Sequence, residues 1–477
     1  MSEGTDTTAG FAYQLEPGFR LERVLGGLTF PTSVTFDGAS QIYVVDGGFA
    51  YGPTYTPARI LRLPAEWEPG AGGADASDVA EVVCDVGLQG PVTGVAFFEG
   101  RLYVAHRGRI SVVETGGALR DVLTGLPSYG DYQNNKIAFG PDGKLYFGQG
   151  TATNSGVVVL DNARYGWLRR HPEVCDIPAH DVTLTGQNFT TPNPLGETGT
   201  TATTGAYSPF GTATTAGQVV RGALPCTGAV LRCAPDGSDL ELVAWGLRNP
   251  FGLCFDGAGR LLVTEDGPEV RGSRPIGNGA PDNLYEVRAG DYFGWPDYYG
   301  GMPVSDPALD PTAGADANDH TGGGEADPGL LLARPEPLLR DAPPVSRQPL
   351  ARFQPHATPG GFDLARGAAF GYAGDAFVTL FGDISPFASG GVTLRAGHGV
   401  ARVDLATGAI HPFLLAMPPE APEGGDPHVV DPFRPVDARF DAAGAALYVV
   451  DFGAVELTMR DSKVHPGSGG LWRIRRG

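Results

Sequence analysis

The sequence predicts an all-β protein, a six-bladed β-propeller with long loop insertions. A hairpin unit of two strands recurs six times, a further strand follows most copies, and the 72 Gly and 41 Pro supply many turns. A strand that precedes the first copy can pair with the last blade and close the ring, which leaves no bare sheet edge. We therefore predict one domain over residues 1–477.

The recurring unit is an apolar alternating strand, a turn of the Asp-Gly kind, and a second strand that ends near a glycine. Alternate apolar residues bury one face of a strand, and the turn residues allow a tight hairpin, so each unit predicts the two inner strands of one blade. The six copies are PTSVTFDGASQIYVVDGG from Pro31, PVTGVAFFEGRLYVAHRG from Pro91, NNKIAFGPDGKLYFGQG from Asn134, NPFGLCFDGAGRLLVTEDG from Asn249, ARGAAFGYAGDAFVTLFGD from Ala365 and PVDARFDAAGAALYVVDFG from Pro435.

Outer strands are expected after the hairpins. The candidate segments are ARILRLP, GRISVVE, GVVVLDN, DNLYEVRAG, GVARVDLATG and GGLWRIRRG. The segment PGFRLERVLGGL, before the first unit, is the candidate closing strand. Two long stretches of low periodicity, at about 161–227 and about 300–360, are rich in Gly, Pro, Thr and Asp. We expect them to be loops between blades, packed over the rim of the propeller.

Composition restricts the classes of partner. Hydrophobic residues make up 42% of the chain, enough for a large core, and the net charge of −20 repels nucleic acid and anionic lipid. No apolar run approaches the roughly 20 residues that cross a bilayer. Among the five cysteines, Cys84 and Cys254 are expected in the core, and one disulfide is expected, with Cys175 to Cys226 as the first choice. The sequence contains no CxxC spacing that would indicate zinc or haem.

The loops of the fourth unit carry a family resemblance. From Trp245 the chain reads WGLRNPFGLCFDGAGRLLVTEDGPE and then APDNLYEVRAGDYFGWP. The order and spacing of an Arg-Asn pair, an acidic Gly-Pro segment, an acidic-Asn step and an aromatic-Gly-Trp-Pro ending agree with the family pattern over about 50 residues. The chain thus resembles the glucose/sorbosone dehydrogenase family of quinoproteins, which are soluble six-bladed propellers.

The resemblance implies a calcium ion and pyrroloquinoline quinone (PQQ), with a sugar or related alcohol or aldehyde as the hydride donor. Arg248 and Asn249 match the pair that contacts the quinone, and Gln89 and Arg434 match two further positions near the cofactor. The carbonyls of Gly267 and Pro268 match the calcium ligands. A hard cation prefers oxygen ligands and polarises the quinone, while a guanidinium supplies fixed charge to the cofactor carboxylates and to the reduced quinone.

The catalytic base departs from the family pattern. The loop before the third unit keeps Asp131, but Tyr132 stands where the family has the histidine that removes the substrate's hydroxyl proton. Histidine titrates near pH 6.5 and tyrosine near 10, so an unassisted tyrosine is a weaker base at neutral pH. His356 is the first alternative base, Asp131 could serve if burial raises its pKa, and His398 and His106 are less well placed.

Three functions remain open. The first is the quinone- and calcium-dependent dehydrogenase, and the second is a propeller that lost the chemistry and serves as a binding or assembly module. A calcium-dependent lactonase or hydrolase would need converging carboxylates, for which the repeat units offer Asp37, Asp46, Asp256 and Asp451. The sequence does not indicate the electron acceptor.

The start of the chain, MSEGTDTTAGFAYQLEPG, has neither a basic nor an apolar leader region. The resemblance implies a periplasmic or extracellular protein if a leader has been removed. A cytoplasmic location is the alternative.

Overall fold

Six four-stranded antiparallel sheets form the blades of a closed ring. The structure is a computed structural model, and it describes residues 2–4, 11–48, 56–64, 67–68, 73–164, 166–269, 274, 276, 279–309, 336–384, 395–417, 433–457 and 462–477. The innermost strands of neighbouring blades contact one another in chain order, and blade 6 returns to contact blade 1. The predicted six-bladed propeller is confirmed.

Blades 1 to 3 follow directly along the chain. From the innermost strand outward, blade 1 contains Pro31–Phe36, Ile42–Asp46, Arg59–Leu63 and Glu81–Cys84. Blade 2 contains Val92–Phe98, Arg101–His106, Arg109–Val113 and Leu119–Thr124. Blade 3 contains Asn134–Phe139, Leu145–Gln149, Ala229–Cys233 and Glu241–Trp245, and Asp291–Tyr292 adds a short parallel strand at its outer edge.

Blades 4 to 6 include the strand that closes the ring. Blade 4 contains Pro250–Phe255, Leu261–Glu265, Asn283–Val287 and Ala351–Arg352. Blade 5 contains Pro359–Leu364, Ala376–Leu380, Gly399–Val403 and Ile410–Ala416, extended by Tyr13–Leu15 and Ser2–Gly4. Blade 6 contains Pro435–Phe440, Ala446–Asp451, Gly469–Arg476 and Phe19–Leu28, with Ala74–Asp75 parallel to the last. The pairing of Phe19–Leu28 with Gly469–Arg476 confirms the predicted closure.

The two long insertions interrupt blades instead of joining them, which corrects the sequence-based expectation. The first separates the second and third strands of blade 3, and it contains the paired strands Val182–Thr183 with Val219–Val220 and Asn188–Pro192 with Thr201–Gly205. The second separates the third and fourth strands of blade 4, and it contains Tyr298–Tyr299 paired with Met302–Pro303. Val455–Leu457 and Ser462–Val464 form a further small hairpin in blade 6.

The predicted outer strand GVVVLDN of blade 3 is also wrong. Val157, Val158 and Val159 are buried in a turn that leads into the short helix Leu160–Arg164, and Ala229–Cys233 takes the third place in the sheet. Val157 and Val159 pack in the core that blades 2 and 3 share with the insertion, and Val158 packs with Trp167 and Leu168. The apolar character of these valines therefore reflects tertiary packing and not a place in the sheet. In the described residues the other helical segments are Ala76–Val79 and the 3-10 turn Pro307–Leu309.

All five cysteines are free, so the expected disulfide between Cys175 and Cys226 is absent. Cys226 is fully buried in the core of blade 3, whereas Cys175 packs with Trp167 and Leu168 in a separate cluster of the insertion. Burial raises the pKa of both thiols to about 12, which leaves them as core residues. Cys84 and Cys254 are buried as expected.

A buried ion pair crosses the centre of the ring. Lys136 lies on the innermost strand of blade 3 and Asp437 on that of blade 6, the opposite blade, and their Nζ and Oδ2 atoms are 3.0 Å apart. Ser33 of blade 1 donates its hydroxyl to the same oxygen at 2.7 Å. Both charged side chains are inaccessible to solvent, so three blades are joined at the axis beneath the loops described next.

Candidate functional site

The predicted site residues all lie at one end of the blades. We call this the upper end, and it is where the innermost strands begin. Because the strands of a blade are antiparallel, the loop between the second and third strands lies at the same end. The residues that precede innermost strands are Gln89 in blade 2, Asp131 and Tyr132 in blade 3, Arg248 and Asn249 in blade 4, His356 in blade 5 and Arg434 in blade 6. Gly267 and Pro268 lie in the loop between the second and third strands of blade 4.

Polar side chains at the ends of the second strands fix the site-bearing loops. Each accepts a backbone N–H from the loop before the innermost strand of its own blade, a role that the sequence reasoning missed. The four bonds are Thr29 to Asp46 at 2.6 Å, Gln89 to His106 at 3.2 Å, Arg248 to Glu265 at 2.6 Å and Arg434 to Asp451 at 2.9 Å. A polar residue ends the second strand in five of the six repeat units, the four above and Gln149, and this recurrence is the signal that could have revealed it.

Burial sets the protonation of these capping groups. It lowers the pKa of His106 to about 4 and raises the pKa of Asp451 to about 6 and that of Glu265 to about 8. Asp37 and Asp256 lie at the opposite end, in the hairpin turns, where they accept backbone N–H groups of their own turns. The four repeat-unit aspartates proposed for a hydrolase therefore do not converge.

Arg248 lies at the centre of the best-connected part of the upper end. Its side chain is fully buried. Its Nε donates to the carbonyl of Asn154 at 3.1 Å, its Nη1 to the carbonyl of Asp266 at 3.1 Å and its Nη2 to Oδ1 of Asn154 at 2.6 Å. These acceptors come from two different blades, so together they hold the guanidinium in place.

Tyr132 covers Arg248. The guanidinium donates to the tyrosine hydroxyl through Nη2, and its carbon lies 4.6 Å from the centre of the ring. The ring of Trp295 flanks the same guanidinium at 5.9 Å. The residue that replaces the family's histidine is therefore in direct contact with the residue predicted to meet the quinone.

Asp131 contacts the insertion of blade 3. Its Oδ1 accepts the indole N–H of Trp167 at 2.6 Å, and the amide of Asn162 lies 3.2 Å from both carboxylate oxygens. The side chain is 3% exposed. These contacts give Asp131 a structural role in holding the insertion against the loop that carries Tyr132.

Asn249 connects blade 3 with the Gly-Pro loop. Its Oδ1 accepts a hydrogen bond from Asn135 at 2.8 Å, and its Nδ2 donates to Oδ2 of Asp266 at 2.6 Å. The other oxygen of Asp266 is buried and has no hydrogen-bond partner in the part of the chain that the structure describes. Burial, together with the charge of Asp282, raises the pKa of Asp266.

Asp282 links the Gly-Pro loop to blade 5. Its Oδ1 accepts the backbone N–H of Gly267 at 2.5 Å, and its Oδ2 accepts that of Thr358 at 2.7 Å. Burial raises its pKa to about 6, against the opposing hydrogen bonds and the nearby charge of His356. His356 is 8% exposed and has a φ of +64°, so it is built into the loop of blade 5. Two buried carboxylates, one with an unsatisfied oxygen, thus flank Gly267, and this donor set fits a cation.

Arg434 and Gln89 lie on other blades. Arg434 is 6% exposed, its Nη1 donates to the carbonyl of Asp383 at 2.9 Å, and its guanidinium carbon lies 5.2 Å from the ring of Phe381. Gln89 is exposed, and its carbonyl accepts the backbone N–H of Arg107 at 3.0 Å. The contacts described join Tyr132, Arg248, Asn249 and the Gly267 loop. Those of the Arg434 guanidinium are with blade 5, and those of Gln89 are within blade 2.

Comparison with known proteins supports the fold. No family model and no curated protein matches the chain. The holo form of the PQQ domain of pyranose dehydrogenase from Coprinopsis cinerea matches with a TM-score of 0.55 and 15% identity, over 98% of this chain and 97% of that one. An iodide structure of a Carbohydrate-Active Enzymes Family AA12 protein from Trichoderma reesei gives 0.55 and 15%, over 98% of both chains. A crystal structure of a glucose dehydrogenase gives 0.50 and 14%, over 95% and 99%.

The chain has the propeller fold of these proteins over nearly its full length. The resemblance recognised in the loops of blade 4 is confirmed at the level of the fold, and the roles of individual residues stay predictions. Within the described ranges no helix is long and apolar enough to cross a membrane. The same ranges contain no group of three or more His, Cys, Asp or Glu side chains arranged to hold a metal ion, so a cation at Gly267 would depend on backbone carbonyls as well.

Proposed function

We propose that the protein is a dehydrogenase that oxidises a sugar or a related alcohol or aldehyde, with PQQ as hydride acceptor and calcium as its partner. The observation that carries the proposal is the run of contacts at the upper end from Tyr132 through Arg248 and Asn249 to Asp266. It connects the base position, Tyr132 on blade 3, with the residues of blade 4 that match the quinone contacts, Arg248 and Asn249, and ends at Asp266, which directly precedes the Gly267–Pro268 step that matches the calcium ligands. The solved propellers of similar fold include a PQQ domain, which supports the same kind of function.

Calcium would be held by the carbonyls of Gly267 and Pro268, with the carboxylate of Asp266 beside them. Burial is the main cause of the raised pKa of Asp266 and of Asp282, and the charge of Asp282 further raises the pKa of Asp266. A bound cation would offset this cost of burying the two carboxylates. A Cβ atom at Gly267 would stand 2.9 Å from Oδ1 of Asp282, so the loop requires glycine here. This close packing keeps the carbonyls in a fixed orientation.

The quinone would be held by Arg248, Asn249 and Arg434, with Gln89 at the rim. The chain carries a net charge of −20, yet two arginines, Arg248 and Arg434, are buried at the upper end, where each donates to a backbone carbonyl. Two such cations suit the carboxylates of PQQ. When bound, the quinone would accept the hydride, and the protein residues would orient the substrate and take its hydroxyl proton.

Reconstitution tests this proposal. Purified protein is titrated with calcium and PQQ, the visible spectrum and melting temperature are recorded, and turnover is measured with a panel of sugars and an artificial dye acceptor. We expect a quinone spectral change that requires calcium, and its loss in Arg248→Gln. Arg288→Gln is the matched control because Arg288 lies in the same blade but is 63% exposed and pairs with Glu286. No spectral change and no calcium-dependent rise in melting temperature would contradict the proposal.

The second candidate is a propeller that has lost the chemistry and acts as a binding or assembly module. It is favoured by the full burial of Arg248 beneath Tyr132, since burial restricts the access of a quinone to the guanidinium. Tyr132→Ala separates the two candidates. Quinone binding that strengthens in this variant favours a dehydrogenase whose Arg248 is covered, whereas no binding in either protein favours the inert scaffold.

A further inference from the structure

Tyr132 contacts Arg248 at the upper end, and the family pattern, which places a histidine at position 132, does not account for this contact. The tyrosine is half-buried, its hydroxyl accepts a hydrogen bond from the guanidinium, and its ring lies 4.6 Å from the guanidinium carbon. The guanidinium of Arg248 is thus in contact with Tyr132, the residue that stands in the place of the family's catalytic histidine. A hydrogen bond from a cation favours the ionised form of a phenol over the neutral form.

The cation is rigidly placed. Asn154, which is fully buried, accepts from Arg248 through both its carbonyl and its Oδ1. The same Oδ1 accepts the backbone N–H of Glu269, and Nδ2 donates to the carbonyl of Glu269 at 2.9 Å. Asn154 therefore connects Arg248 to the loop that follows Gly267. A preorganised donor of this kind needs no rearrangement when the phenol ionises.

We propose that Tyr132, ionised by its contact with Arg248, is the base that takes the substrate's hydroxyl proton. This inference rests on the proposed function. The two other candidate bases are held by other contacts. The carboxylate of Asp131 is bonded to Trp167 and Asn162. His356 lies in the loop of blade 5 beside Asp282. Among the described residues, the charged or titratable groups near Tyr132 include Arg248 and, next to it in the chain, Asp131. Around Arg248 they include Glu265, Asp266 and Glu269.

In the proposed step the substrate alcohol loses a hydride and a proton. The carbon that bears the substrate hydroxyl loses its hydrogen as hydride, and both electrons leave with it to a quinone. The hydroxyl O–H bond breaks, its proton goes to the Oη of Tyr132, and the oxygen forms a carbonyl with the same carbon. Arg248 changes from stabilising the phenolate to contacting a neutral phenol, and the proton is then released to water to restore the base.

The first measurement needs no cofactor. Ultraviolet difference spectra across pH follow tyrosinate formation in the wild type, Tyr132→Phe, Arg248→Lys and Tyr129→Phe. Tyr129 is the matched control because it lies in the same loop and is 37% exposed. We expect one tyrosine to ionise at lower pH than the others in the wild type and in Tyr129→Phe. This early component should be missing in Tyr132→Phe and displaced to higher pH in Arg248→Lys, since a lysine provides only a point charge on a flexible stem.

The second measurement uses protein loaded with calcium and PQQ. Tyr132→Phe should lower kcat by about 10²–10⁴-fold, the range for a positioned base, with KM little changed. Tyr132→His should keep turnover and move the lower limb of the pH–rate profile towards that of histidine. A wild-type rate and pH profile in Tyr132→Phe would overturn the inference and leave the dehydrogenase standing. An early-ionising Tyr132 in a protein without turnover would support the phenolate and refute the proposed function.

Discussion

The ion pair between Lys136 and Asp437 gives the sharpest stability prediction. The pair lies at the axis of the ring, its side chains are 1% and 0% exposed, and it joins opposite blades. Replacement of Lys136 by Met leaves the carboxylate buried without its main counter-charge. Breaking a buried pair from one side costs about 3–5 kcal/mol, because the remaining charge is not solvated.

Contacts that survive the substitution place the loss at the lower end of that range. Asp437 keeps the hydrogen bonds from the hydroxyl of Ser33 at 2.7 Å and the N–H of Val34 at 3.2 Å, and Nε of Arg439 lies 3.9 Å from its other oxygen. We expect Lys136→Met to lower the free energy of unfolding by about 3 kcal/mol. The double variant with Asp437→Asn removes both charges, so it should lose at least about 2 kcal/mol less than the sum of the single variants.

Urea unfolding followed by circular dichroism measures these values, with an unchanged m-value as the sign of an unchanged unfolding transition. Lys144→Met is the control, since Lys144 pairs with Glu241 at the same 3.0 Å but on the surface, where such a pair is worth about 0–1 kcal/mol. The reasoning is refuted if the single variants add within about 0.5 kcal/mol in the double variant, or if Lys136→Met costs no more than Lys144→Met.

Two further predictions concern the site and pH. Gly267→Ala should abolish or greatly reduce the calcium-dependent rise in melting temperature, because the new Cβ would lie 2.9 Å from Oδ1 of Asp282. Gly257→Ala is the control, since the space around its new Cβ is open, and it should keep the rise. Equal rises in both variants would argue against calcium at this loop. Burial raises the pKa of Asp176 to about 6 from 3.8, so the folded protein holds this proton more tightly than the unfolded chain. The free energy of unfolding should therefore fall as pH rises from about 4 to 6, by at most about 1.4 kcal/mol per pH unit. Urea unfolding at several pH values measures this dependence, and Asp176→Asn should remove the part that Asp176 contributes. An unchanged pH dependence in the variant would show that Asp176 is already ionised.

The sequence alone predicted the parts of the fold that depend on local order. Alternating apolar residues around a tight turn define an inner hairpin, so five of the six hairpins and five of the six outer strands were identified correctly. In the unit predicted from Ala365 only the second strand, Ala376–Leu380, is correct, because the innermost strand Pro359–Leu364 ends before that unit begins. The closing strand Phe19–Leu28 was predicted because a propeller must pair its first edge with its last. The Arg-Asn and Gly-Pro segments were predicted to lie close together because they flank one hairpin of blade 4, whose two ends meet at the same edge of the sheet.

Only the tertiary structure decided which distant segments meet. The apolar run Val157–Val159 has the composition of a strand, yet it lies outside the sheet, with Val157 and Val159 in the core of blades 2 and 3 and Val158 in a separate cluster. Periodicity over three residues cannot separate these cases. The contact of Tyr132 with Arg248 joins residues 116 positions apart, and that of Lys136 with Asp437 requires the whole ring to close. Such contacts carry no local signal, because their partners are selected by blade order and by the cost of burying a charge alone.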